Sequence, residues 1–149
     1  MLPVKKVLCP TDYSDFSYQA LDVAVEFCEK FKAKLYLVHV IAPVPQSMGM
    51  PTSAGFDIPM YQEQLKEHNQ ESLKKVTEEK IPDKIQTESL IGYGFEADSI
   101  IKVAEEKDVD LIVISTHGRT GLKHFFLGSV AEKVLRHTSK PVLTIRASE

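Results

Sequence analysis

The chain is poor in the residues that lock small folds together or carry proteins into membranes. It holds two cysteines, Cys9 and Cys28, 19 positions apart and without a Cys-x-x-Cys pair. No Cys/His cluster has zinc-like spacing, so both read as small buried hydrophobes in a reducing compartment. No apolar run approaches the roughly 20 residues of a membrane span. The opening Met1-Leu2-Pro3-Val4-Lys5-Lys6 lacks an apolar stretch of signal-peptide length, so a cytoplasmic location is expected. Excess charge is also small. A net −3 argues against a general nucleic-acid or membrane surface. The Walker lysine pattern is missing, and no nucleophile–base pair is evident. No catalytic residue is assigned on this reading.

What is present is ordinary for a soluble globular chain: 43% hydrophobic and 26% charged residues. A chain of 149 residues can bury roughly 68–70% of its unfolded surface, so one domain over 1–149 needs neither disulfide nor metal.

Apolar segments and helical patterns alternate along the chain. Lys6-Val7-Leu8-Cys9, closed by Pro10, reads as a first strand, and Ser14 or Asp15 can cap the helix that follows. Phe16, Ala20, Ala24, Phe27, Cys28 and Phe31 recur at helical spacing. Residues 34–41 form a nearly continuous apolar strand, as a strand covered on both faces should. A long connection over 42–58 carries Pro43, Pro45, Gly49, Pro51 and Gly55, with Met48 and Met50 between them. Tyr61, Leu65, Leu73 and Val76 mark a second helix, polar enough to lie on the surface. Residues 84–91 make a mixed strand suited to a sheet edge, and Gly92-Tyr93-Gly94 turns the chain. Ala97, Ile100, Ile101 and Ala104 give a third helix its inner face. A strand at 111–115 follows, then a fourth helix with Ser129 and Glu132 as a capping box, then a strand at 141–146. The alternation predicts an α/β fold: a five-stranded parallel sheet, helices on both faces, right-handed crossovers. Ligands of such folds bind beyond the strand C-termini, where the strand order reverses.

Two loops lie on that edge. Pro10-Thr11-Asp12 follows the first strand. Ser115-Thr116-His117-Gly118-Arg119-Thr120-Gly121 follows the fourth and leads to Gly128-Ser129, where a helix starts. Glycines let backbone approach an anion, and unpaired first-turn N–H groups sit at the positive end of the helix dipole. Arg119 and Lys123 add mobile positive charge. His117, with no evident carboxylate partner, reads as a structural lining residue, and His39 as a satisfied histidine at a strand end.

Taken together, Val7-Leu8-Cys9-Pro10-Thr11-Asp12, Leu37-Val38-His39-Val40-Ile41, Asp110-Leu111-Ile112-Val113-Ile114, Thr116-His117-Gly118-Arg119-Thr120-Gly121 and Leu127-Gly128-Ser129-Val130-Ala131 resemble the universal stress proteins, in particular their ATP-binding branch. The resemblance covers nearly the whole chain. It implies the strand order 3-2-1-4-5 of the adenine nucleotide alpha-hydrolase-like, Rossmann-type fold. The branch carries a glycine, two residues, a second glycine, nine residues, then Gly-Ser or Gly-Thr. Here Gly118, residues 119–127 and Gly128-Ser129 fill the later positions, and Ser115 stands at the first. A non-glycine residue forced to positive φ there would cost on the order of 1 kcal/mol.

The resemblance further implies that Asp12 lies near ribose and phosphates, through a magnesium-bound water, with Pro10 and Thr11 lining the same pocket. It places Val40 against adenine. It gives Ser115, Gly118, Gly121, Gly128, Ser129 and the Val130 backbone to ribose and phosphates, with His117 and Arg119 completing the set. The expected function is a dimeric regulatory module that binds ATP, with Mg²⁺ as a possible companion ion. A nucleotide-free dimeric interaction protein and a slow ATPase are the alternatives. The apolar last strand, 142–146, is the expected dimer edge.

Overall fold

The computed structural model describes residues 3–44, 57–118 and 127–146. Its elements run β1 (Lys6–Pro10), α1 (Asp15–Phe31), β2 (Lys34–Ile41), α2 (Ile58–Lys80), β3 (Thr87–Tyr93), α3 (Glu96–Glu106), β4 (Leu111–Ser115), α4 (Ser129–His137) and β5 (Val142–Ile145). All pairings are parallel and the strand order is β3-β2-β1-β4-β5, as the alternation and the resemblance imply.

The strands are apolar on both faces because helices cover both. One face packs Val7, Cys9, Leu35, Leu37 and Val113 against Ala20, Leu21, Ala24 and Cys28 of α1 and Leu73 and Val76 of α2. The other packs Leu8, Val38, Ile112 and Ile114 against Ala97, Ile100 and Ala104 of α3 and Ala131 and Val134 of α4. Sheet order reverses between β1 and β4: the chain leaves β1 toward α1 on one face and leaves β4 toward α4 on the other. Their C-terminal ends therefore part, and a crevice opens at that edge.

Local chemistry sets the helix ends. Ser14 is the N-cap of α1, its hydroxyl accepting from the Ser17 N–H, and Lys32 closes that helix in the left-handed conformation. Asp57 caps α2 by accepting from the Met60 N–H. Among the described residues, no helix is long and apolar enough to cross a membrane.

Two boundaries differ from the sequence reading. The third strand is Thr87–Tyr93, not 84–91, because its ladder pairs Gly92 with Val40 and Tyr93 with Ile41. The glycine thus lies inside the strand, where an added Cβ would press on Val40 and Ser99. The fourth helix is capped by Gly128, with no side-chain cap, so Ser129 is its first residue and the Ser129–Glu132 capping box does not form. Glu132 instead pairs with Arg136 one turn on.

Both cysteines are free and buried, as their spacing suggested. Burial pushes the Cys28 thiol up to about 12. It raises that of Cys9 further, with Cys28 and Asp22 adding to the shift.

Candidate functional site

A cavity of about 770 Å³ occupies the crevice at the strand C-termini. Of the residues singled out from sequence, Pro10, Thr11, Asp12, Val40, Ser115, His117, Gly118, Gly128, Ser129 and Val130 all line it. Arg119, Gly121, Lys123 and most of the 42–58 connection, including Met48 and Met50, lie outside the described residues.

The first wall is the turn after β1. Thr11 is buried, and its N–H continues the sheet by donating to the Val38 carbonyl at 2.8 Å. Its hydroxyl bonds Ser17 at 2.9 Å and accepts the Tyr13 N–H at 3.1 Å. Asp12 forms an Asx turn: Oδ1 accepts the N–H of Ser14 at 3.0 Å and also its hydroxyl. The turn is tight enough to hold Tyr13 at φ 65°, a conformation rare for a bulky residue. Three contacts keep it there. One is the N–H bond to Thr11. Another is a stack on His39, ring centroids 4.4 Å apart. The third is a hydrogen bond from its hydroxyl to the Asn69 carbonyl at 3.2 Å. His39, on β2, is buried and its Nδ1–H donates to the Thr11 carbonyl at 2.9 Å, so it is satisfied within the wall.

The second wall is the exit of β4. Ser115 ends the strand, paired with Ile145, and does not adopt positive φ. Serine at the motif's first glycine position is therefore unstrained. Its hydroxyl accepts the His117 N–H at 3.2 Å. The His117 ring bonds Thr116 Oγ1 at 2.9 Å and leans on Phe16.

Two glycines bring these walls together. A Cβ at Gly118 would lie 2.9 Å from Asp12 Oδ2, so the two loops touch where that glycine stands. A Cβ at Gly128 would lie 2.7 Å from the Thr116 carbonyl oxygen, which accepts the Gly128 N–H at 2.6 Å. This bond closes the base of the loop and aims the first turn of α4 into the cavity. Because no side chain caps that helix, its leading N–H groups remain available to an anion.

The third wall was not anticipated. Tyr61, Leu65, His68, Asn69 and Ser72 of α2 line the cavity, with Glu96 and Ile100 of α3. The polarity of α2 marked it as a surface helix, and its first three turns are largely exposed. Only the recurrence of Tyr61, Leu65 and Leu73 hinted that one face looks inward.

For metal ions the donor set is thin. Among the described residues no three His, Cys, Asp or Glu side chains gather in one place. Asp12 with water and ligand oxygens suits a hard, strongly hydrated cation such as Mg²⁺ better than an all-protein cage would.

Fold and cavity define a class: a doubly wound α/β protein with a glycine-closed, helix-headed crevice at its switch point, suited to an anionic ligand. The chain belongs to the universal stress protein family, whose model matches residues 3–146. It is 40% identical to universal stress protein MJ0531 of Methanocaldococcus jannaschii over 144 residues, 95% of this chain and 82% of that protein. The solved structure of MJ0577 from the same organism superposes with a TM-score of 0.75 at 28% identity, covering 98% of both chains. A universal stress protein solved in complex with cAMP matches with a TM-score of 0.63 at 26% identity, over 97% of this chain and 98% of that one.

Proposed function

We propose that this chain binds adenine nucleotides, ATP foremost, in the edge cavity, and acts as a regulatory module of the stress response. One observation carries the reading: Gly128 sits where a Cβ would meet the Thr116 backbone and Gly118 where a Cβ would meet the Asp12 carboxylate, which brings the Asp12 turn and the uncapped N-terminus of α4 to one crevice. Phosphates would lie against the leading N–H groups of α4, with Ser129 adding its hydroxyl. Asp12 would face the ribose and a hydrated Mg²⁺, and Val40 the adenine ring. Ser115, His117 and the Val130 backbone would complete the lining, with Arg119 and Gly121 in the connecting loop. The cAMP complex of a relative supports an adenine-bearing ligand for this cavity.

The module would work as one domain in the cytoplasm, as a homodimer. Strand β5 is the outermost strand on its side, and Val142, Leu143 and Ile145 are only half-buried there, the condition under which strand pairing across a two-fold axis is favourable. Sedimentation at micromolar concentration should give a dimer, and a mass near 16.7 kDa would refute it.

The test of the ligand is mass analysis of small molecules released from freshly purified, denatured protein, together with calorimetric titration by ATP. Co-purified ATP or ADP, or a dissociation constant well below millimolar, is the expected result. No nucleotide and no affinity below millimolar would defeat the reading.

A further inference from the structure

Helix α2 places Tyr61, Leu65, Asn69, Leu73 and Val76 at the spacing of one helical face. Every member of that stripe is apolar or aromatic except Asn69. At 7% exposure Asn69 is also buried, at a position where leucine would satisfy both helix propensity and packing. Its orientation is fixed. The side-chain Nδ2 donates to the Leu65 carbonyl, one turn back, at 2.8 Å, which settles which end of the amide is nitrogen. Its backbone carbonyl is held by the Tyr13 hydroxyl. The side-chain oxygen takes no hydrogen bond from any described residue. Yet no fully enclosed side-chain oxygen among those residues lacks a partner. The Asn69 oxygen is therefore not fully enclosed, on a residue that lines the cavity.

We propose that Asn69 reads the nucleoside end of the ligand, its Oδ1 accepting a hydrogen bond from an N–H or O–H donor. The assignment rests on the nucleotide reading above. A neutral amide oxygen on the cavity lining repels phosphate oxygens and attracts donors. In a nucleoside triphosphate the donors are the exocyclic amine of the base and the ribose hydroxyls. In that reading the phosphates lie against Gly118, Gly128 and Ser129, so Asn69 supplies α2 with a separate task. A buried acceptor left unmatched disfavours analogues that lack the donor.

The experiment is calorimetric titration of wild type, Asn69→Leu and Asn69→Ala with ATP, with ITP, which lacks the amine, and with 2′,3′-dideoxy-ATP, which lacks both ribose hydroxyls. Both variants keep the backbone carbonyl that holds Tyr13, and leucine restores the stripe, so Asn69→Leu should melt at or above wild type. In wild type one analogue should bind roughly three- to tenfold more weakly than ATP, the range of one neutral hydrogen bond. Which one identifies the donor. Both variants should lose that preference and weaken ATP by a similar factor. Equal binding of all three ligands by wild type, or an unchanged preference in both variants, overturns the assignment while leaving nucleotide binding intact. Wild type that binds none of the three overturns it together with the nucleotide reading.

Discussion

Replacing Gly128 with alanine tests whether the closed base of the loop builds the site. At φ −68° and ψ 156° the backbone already suits any residue, so alanine meets no conformational penalty and its effect is purely spatial. The new methyl carbon would lie 2.7 Å from the Thr116 carbonyl oxygen, against about 3.3 Å for an ordinary close carbon–oxygen contact. That oxygen cannot easily retreat. Thr116 is anchored on its other side by its N–H to the Ile145 carbonyl at 2.9 Å. Relief comes by swinging the start of α4 away, which breaks the Gly128–Thr116 bond. Losing a backbone hydrogen bond costs about 1 kcal/mol net, and overpacking adds about 1–2 kcal/mol. The sum, about 2–3 kcal/mol, lowers Tm by roughly 5–10 °C in a chain of this size. Because the helix N-terminus moves with it, ATP affinity should fall at least tenfold in calorimetry. Gly118→Ala is the control. Its methyl meets only the end of the Asp12 side chain, so Tm should change little while Mg²⁺-dependent ATP binding weakens. A Gly128→Ala protein that melts and binds ATP like wild type would refute the reasoning.

Further outcomes follow from other parts of the molecule. Ser115→Gly should not raise ATP affinity more than about threefold, since Ser115 is not at positive φ; strand glycine should instead cost about 0.5–1 kcal/mol in urea unfolding. Tyr13→Phe removes the hydroxyl that ties the Asp12 turn to α2 and should cost about 1 kcal/mol by the same assay. Cys9 and Cys28 should resist thiol reagents at pH 8 until the protein unfolds. As both thiols are raised above their ordinary 9.0, stability should hold below that pH and fall as pH climbs toward 12. Lys107 and Lys34 hold the Glu88 carboxyl below its ordinary 4.5. That contribution is present above pH 4.5 and is lost as pH falls, so Glu88→Gln should flatten the acid limb of a stability–pH curve, and high salt should mask the difference.

Much of this fold was legible because its strands are short, apolar and separated by helices with distinct inner faces. Leu111–Ser115 could hardly be anything but a central strand. The β3 boundary was misjudged because Gly92 looks like a turn from its neighbours alone, whereas its ladder partner Val40 decides the matter. Ser129 and Glu132 had the sequence spacing of a capping box, but a tertiary bond from Gly128 to Thr116 starts the helix one residue earlier. The residues expected at the site fall on one cavity where they are described, since strand ends and glycines mark that edge directly. The α2 wall was hidden because Asn69 is one polar residue in a polar helix. Only its burial distinguishes it.

The switch point also has a mechanical meaning. The sheet separates two helical layers, each with its own apolar core. Asp12 leads into one layer through α1, and Gly128 and Ser129 lead into the other through α4. A molecule gripping both is a rivet through the sheet's open edge. Its binding energy resists any fluctuation that parts the layers, about 2.7 kcal/mol when ligand stands at a hundred times its dissociation constant. Occupancy would thus be felt on both outer faces at once, and amide exchange should slow in α1 and α4 together.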